Sequence, residues 1–167
     1  MENVDLGVTT FLRAAAEASP DREALVVRQW QRADWETLFS HAQHVKVARG
    51  ERLIRQTAAE RALYFVESGV LQVGSVVGGL SASTIDCFYP GSVVGELSFF
   101  DGKPRSAEVW VIVDSELYRL DFQAYERFAD AQPRKACDLV FALGRLVAQR
   151  LRHTLSSIDQ LTLGYAI

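Results

Sequence analysis

Between Gly95 and Ala107 the chain reads Gly95-Glu96-Leu97-Ser98-Phe99-Phe100-Asp101-Gly102-Lys103-Pro104-Arg105-Ser106-Ala107. A glycine-led turn meets an acid, a short apolar stretch follows, and an arginine stands nine residues after the acid. Arg105 can neutralise a phosphate charge through its planar fork of donors. Glu96 can accept from a ribose hydroxyl. If the apolar stretch forms one helical turn, its free amides can point at the anion. The alternative is a surface arginine paired with Glu96 or Asp101, and a glutamate that only stabilises a helix N-terminus. The first reading suits a small sugar phosphate.

These residues resemble the phosphate-binding cassette of the cyclic-nucleotide-binding domain family, in the catabolite-activator-like form. Gly95-Glu96-Leu97-Ser98 and Pro104-Arg105-Ser106-Ala107 match its two halves, Tyr89-Pro90-Gly91 matches the approach, and Leu63 to Val73 looks like its hairpin. The resemblance covers about residues 35 to 160. It implies a binding set of Gly95, Glu96, Leu97, Ser98, Arg105, Ser106 and Ala107 for the sugar phosphate. Gly95 permits close backbone approach, Leu97 and Ser98 offer amides, and Ser106 and Ala107 offer further donors. Pro104 stiffens the approach and keeps Lys103 extended. Phe99 and Phe100 read as core plugs.

The segment Ala148-Gln149-Arg150-Leu151-Arg152-His153-Thr154 is similar to the catabolite-activator stretch whose threonine contacts adenine, which adds Thr154 as a base contact. Thr154 as a helix-seam residue is the equal alternative. The family serine that follows, which reaches the partner subunit's ligand, is Leu155 in this chain. Val73, Ile85 and Val94 are candidates for an apolar wall around the base. The ligand implied is cAMP, with cGMP as the alternative, because Ser106 after the arginine can serve either base.

The elements that must position these residues follow from periodicity. Residues 5 to 45 read as helical. Phe11, Leu12, Ala15 and Ala16 stand at helical spacing, and a break at Ser19-Pro20-Asp21 precedes a second helix with Leu25, Val26, Trp30, Trp35, Leu38 and Phe39 on its apolar side. From Val45 to Leu120 short β-rich segments, among them Tyr64 to Val66, Val70 to Val77, Ala107 to Val113 and Glu116 to Leu120, alternate with turns, including Gly78-Gly79. The expected class is α+β, mainly β: a jelly-roll β-roll of about eight strands with N-terminal helices and a long C-terminal helix. The division expected is 1–34 as an N-terminal helical segment and 35–167 as the binding domain, with the roll at about 44–121 and helices at about 122–162. Asp121 can cap a helix of Phe122 to Ala131, and Pro133 suits the first turn of the next. That helix, near 28 residues, is about 42 Å long. Val147, Leu151, Thr154, Ile158 and Leu161 follow 4-3-4-3 spacing, the seam of a coiled coil. Leu139, Leu143 and Leu146 pack on the roll. A homodimer through this helix is therefore expected, as the resemblance also implies.

Hydrophobic residues at 49% and charged ones at 23% of 167 residues describe one ordinary globular domain. A net charge of −3 argues against a surface built throughout for nucleic acid. Arg134, Lys135, Arg145, Arg150 and Arg152 against Asp138 read as a solvated helix face. Cys87 and Cys137 suit a reducing cytoplasm, and no signal peptide or membrane span is expected. His41 and His44 stand three apart, but with His153 the last histidine and no cysteine near, no metal is expected. No nucleophile–base set, Walker loop or GxGxxG is present, so a sensor and not an enzyme is expected. The output would pass to a partner or fused effector, with a membrane or effector protein among the candidates. Two alternatives stand beside it: the sensor half of a transcription regulator, with no direct DNA binding by this chain, and an interaction module that kept the fold and lost the ligand.

Overall fold

A computed structural model describes residues 2–18, 23–77 and 80–164, with side chains described for 7–18, 23–74 and 86–158. The elements are α1 (Glu2–Glu17), α2 (Arg32–Ser40), β1 (Gln43–Val47), β2 (Arg52–Ile54), β3 (Ala62–Val77), β4 (Leu80–Phe88), β5 (Val93–Val94), α3 (Glu96–Asp101), β6 (Glu108–Asp121), α4 (Phe122–Ala131) and α5 (Pro133–Gly164). The sheet is antiparallel, in the order β1-β6-β3-β4, with β2 added to β6 and β5 to β3. This is the expected roll with N- and C-terminal helices, but with six strands among the described residues where about eight were expected. The segments read as separate strands at 64–66 and 70–77 run on as β3, and those at 107–113 and 116–120 as β6, because bulges bend the strands without ending them. The Gly78-Gly79 turn and the Ser19-Pro20-Asp21 break lie outside the described residues.

Period-two alternation splits the strands between two cores. Leu63 and Phe65 of β3, with Tyr118 and Leu120 of β6, enter the core shared with the helices. Ala62, Tyr64 and Val66 of β3, with Val109, Val111 and Leu117 of β6, enter the core inside the roll. Phe11 seats α1 on the first core, with ring centroids 5.2 Å from Trp35, 5.5 Å from Phe39 and 6.1 Å from Phe65.

The helical reading of residues 5–45 needs correction. Residues 23–31 form no helix, and β1 begins at Gln43. Leu25, Val27 and Trp30 are buried while Val26 is half exposed, so this segment does not have the apolar side of a helix. Its backbone is tied to the roll instead: Leu25 N donates to Gly91 O at 2.9 Å, and Ser92 Oγ donates to Glu23 O at 2.7 Å. The approach at Gly91 is so close that a Cβ there would stand 2.7 Å from the Ala15 backbone of α1.

Asp121 caps α4 as expected, accepting from Ala124 N at 2.8 Å. α5 runs 32 residues, about 48 Å. Leu139, Leu143 and Leu146 are buried against the helical core, whereas Leu151, Thr154 and Ile158 are exposed; Leu161 lies outside the described side chains. The basic run on α5 is not wholly a solvated face. Lys135 pairs with Asp34 at 2.8 Å, Arg145 donates to Val26 O at 3.2 Å, and Arg150 turns inward. No helix among the described residues is long and apolar enough to cross a membrane.

Candidate functional site

Between the open end of the roll and α5 lies a cavity of about 540 Å³, within the usual size range of small-molecule sites. Gly95, Glu96, Leu97, Ser98, Arg105, Ser106, Ala107 and Thr154 all line it. Four elements bring them together: the β5–α3 turn, α3 itself, the strand entry at β6 and the middle of α5.

Gly95 precedes α3 with φ +93, the left-handed region that favours glycine. A Cβ there would stand 2.5 Å from both Ala62 O and Arg105 Nη1. The glycine is therefore required twice, by the turn and by the arginine packed on it. In α3, Glu96, Ser98 and Phe99 are buried. Phe99 enters the helical core beside Phe122 and Tyr125, as expected of a plug. Phe100 does not; it is 38% exposed at the surface.

Arg105 is 3% exposed, so the surface-arginine alternative fails. Its partner is Glu60, not Glu96 or Asp101. Nη2 donates to Glu60 Oε2 at 3.1 Å and Ala62 O at 2.9 Å, and Nη1 donates to Gly95 O at 3.1 Å. Its Nε is buried without an acceptor among the described residues. A charged donor left so is costly, by about 1–3 kcal/mol or more. Glu60 also accepts from Tyr64 Oη at 2.8 Å and Arg119 Nε at 3.1 Å. Burial acts to raise the Glu60 carboxyl, but these hydrogen bonds and the Arg105 charge outweigh it and hold it below the ordinary range. One carboxylate thus faces two guanidinium groups, and the second of them, Arg119, also pairs with Asp121 at 3.4 Å.

Glu96 meets a second arginine. Arg150 Nη1 lies 2.7 Å from Glu96 Oε1; its Nε donates to Glu23 at 2.6 Å, its Nη2 to Val93 O at 2.9 Å, and it covers the Phe88 ring at 4.5 Å. Burial acts to lower the Arg150 guanidinium, and Glu96 and Glu23 together outweigh it and raise it. Thr154, one turn on, lines the cavity while its hydroxyl donates to Arg150 O at 3.0 Å. Leu155 is exposed.

The lining also has an apolar part: Ile54, Val73, Phe88, Val94 and Val109. Two of the three wall candidates read from the sequence are there; the Ile85 side chain lies outside the described residues. Glu60, Arg150, Phe88, Asp86 and His153 were not foreseen. Arg150 carried a signal, since it stands four residues before Thr154 on the same helix face. Glu60, 45 residues from Arg105, carried none.

A family model for the cyclic nucleotide-binding domain matches residues 44–132, more than half of the chain. The chain belongs to that family. It is 29% identical over 124 residues to the cyclic AMP receptor protein of Thermus thermophilus, covering 74% of this chain and 56% of that one. It is 26% identical over 121 residues to the cyclic GMP-binding protein C of Dictyostelium discoideum, covering 72% of this chain and 4% of that one. The chain thus spans little more than half of one relative and a small part of the other. A cyclic nucleotide-binding domain from Methylobacillus flagellatus shares the fold, with a TM-score of 0.79 over 98% of this chain and 88% of that one at 21% identity.

Proposed function

We propose that this chain is a sensor that binds a cyclic nucleotide, cAMP in the first instance and cGMP as the alternative, and relays binding through α4 and α5 to a partner or fused effector. The observation that carries the reading is Arg105: a buried guanidinium in the wall of a nucleotide-sized cavity, with one donor lacking an acceptor. A cyclic phosphodiester brings one negative charge and the missing acceptor. The same pose sets the ribose hydroxyl toward Glu96, the phosphate toward the Leu97, Ser98, Ser106 and Ala107 donors, and the base between the apolar wall and Thr154.

The relay follows from Arg150. A ribose hydroxyl that takes up Glu96 alters the Glu96–Arg150 pair, and with it the fit of α5, so ligand shifts a two-state equilibrium by differential affinity. The Glu23 contact extends this to the N-terminal segment, which we take as residues 1–34 beside a binding domain of 35–167. The half-exposed Leu151, Leu155 and Ile158 suit a homodimer along α5. Sedimentation equilibrium at twice the chain mass is the expected result, and a monomer at all concentrations contradicts the dimer. The role is regulatory and not catalytic, in the cytoplasm.

A second reading, the sensor half of a transcription regulator, is favoured by the 56% coverage of the Thermus receptor protein; a membrane or other effector protein is the alternative output.

The test is a thermal-unfolding scan with each nucleotide. At a hundredfold excess over Kd, one site adds about 2.7 kcal/mol, or roughly 5–10 °C at this chain length. A shift with one nucleotide names the ligand. No shift with either leaves the fold as a ligand-free interaction module.

A further inference from the structure

On the helical side of the sheet, away from the nucleotide cavity, three neighbouring strands bring His44, Glu67 and Glu116 together. His44 Nε2 lies 2.8 Å from Glu67 Oε2 and 3.3 Å from Glu116 Oε2, and one ligand atom of each residue lies within 4.8 Å of the others. Register accounts for the meeting. His44 of β1 faces Tyr118 of β6, and Lys46 faces Glu116. Glu67 stands where the β3–β6 register shifts between Val66 and Ser68, and such a bulge re-aims a side chain. His41 takes no part, since its ring packs on Phe128 at 5.7 Å.

We propose that His44, Glu67 and Glu116 form a binding site for a first-row divalent metal ion of the zinc type. Two carboxylate oxygens crowd one imidazole nitrogen, and a single N–H cannot serve both well. A cation at their centre satisfies all three. Tetrahedral ligands about 2.0–2.2 Å from zinc stand about 3.3–3.6 Å apart, against the 2.8 and 3.3 Å that separate His44 Nε2 from the two carboxylates. Mixed nitrogen and oxygen donors favour zinc or cobalt over calcium or magnesium, which prefer oxygen alone.

A second observation points to the same spot. Tyr118 is 1% exposed, and its hydroxyl has no partner among the described residues. A Cβ placed at Gly7 of α1 would collide with both Tyr118 Oη and Glu67 Oε2, so the two oxygens meet under bare helix backbone. The Tyr118 hydroxyl carries one O–H. It is a donor toward a carboxylate or a metal-bound water, leaving three protein ligands and an open position. Lys46 holds the other Glu116 oxygen at 2.8 Å and orients that carboxylate. Metal here would tie β1, β3 and β6 together.

The test is a titration of the chelator-stripped full chain with Co²⁺, followed by visible absorption, then competition with Zn²⁺. Expected is one equivalent bound, with affinity lowered about tenfold or more in His44→Asn and in Glu116→Gln, and unchanged in His41→Ala. Glu116 is partly exposed, so Glu116→Gln decides the matter if His44→Asn does not fold. Binding no tighter than in Glu116→Gln, or a loss in His41→Ala equal to that in His44→Asn, would overturn the site.

Discussion

Arg150 of the C-terminal helix pairs with Glu96, the first residue of α3, at 2.7 Å, and with Glu23 of the N-terminal segment at 2.6 Å. One guanidinium thus joins three regions at the rim of the cavity. Replacing it leaves Glu96, 7% exposed, without its cation. Arg150→Met is expected to cost about 1–3 kcal/mol of stability and to weaken nucleotide binding roughly tenfold. Glu23→Gln, which spares the Glu96 pair, is expected to change affinity much less. Chemical denaturation and calorimetric titration of both variants measure this, and equal losses in the two would refute the separate role of Glu96.

Gly95 sets both the turn and the seat of Arg105. Gly95→Ala meets a positive φ and contacts of 2.5 Å on two sides. It is expected to lower stability by about 1–3 kcal/mol and to lower nucleotide affinity as well, because Arg105 must move. Gly102 also has a positive φ, of +67, but nothing within 4 Å of a Cβ. Gly102→Ala is therefore expected to show the backbone cost without the loss of affinity. The same two measurements on both variants separate strain from displacement.

Stability should fall at both ends of the pH scale for nameable reasons. Glu60 is held below its ordinary value of 4.5 in the folded chain. In acid the unfolded chain then binds more protons, so this contribution is full above about pH 4.5 and is lost as the pH falls through the lower folded value. Tyr64, buried and beside the Glu60 charge, is pushed up to about 12, and Tyr118 likewise. Their contributions are full below pH 10 and are lost as the pH rises toward 12, with a slope of up to about 1.4 kcal/mol per pH unit for each. Glu60→Gln should flatten the acid limb of stability against pH, and Tyr64→Phe the alkaline limb. Unchanged limbs in these variants would contradict the assignment.

What could be read from the sequence was mostly local. The cassette from Gly95 to Ala107 is continuous, so its turn, acid and arginine are visible as one string. The Asp121 cap lies three residues from the amide it accepts from. As far as Leu146 the buried and exposed faces of α5 follow a single helical period. What escaped depends on distant pairing. Leu25, Val26 and Trp30 looked helical beside Trp35 and Leu38, yet the segment is tied to the roll by a backbone bond to Gly91 and by the Ser92 hydroxyl, more than sixty positions away. Glu60 was invisible as the holder of Arg105 because only the roll brings them together. His44 was weighed with His41 by spacing, whereas the strand register pairs it with Glu67 and Glu116.

The most direct test of the nucleotide-binding reading is isothermal titration of cAMP and of cGMP into the wild-type chain and into Arg105→Lys. The lysine keeps the charge but cannot reproduce the fork that reaches Gly95 O, Ala62 O and Glu60 together. One nucleotide should bind the wild type at one site per chain, with affinity reduced at least about tenfold in the variant. Equal affinity in the two proteins would contradict the placement of the phosphate on Arg105, and no heat with either nucleotide in a folded wild-type sample would contradict the sensor itself.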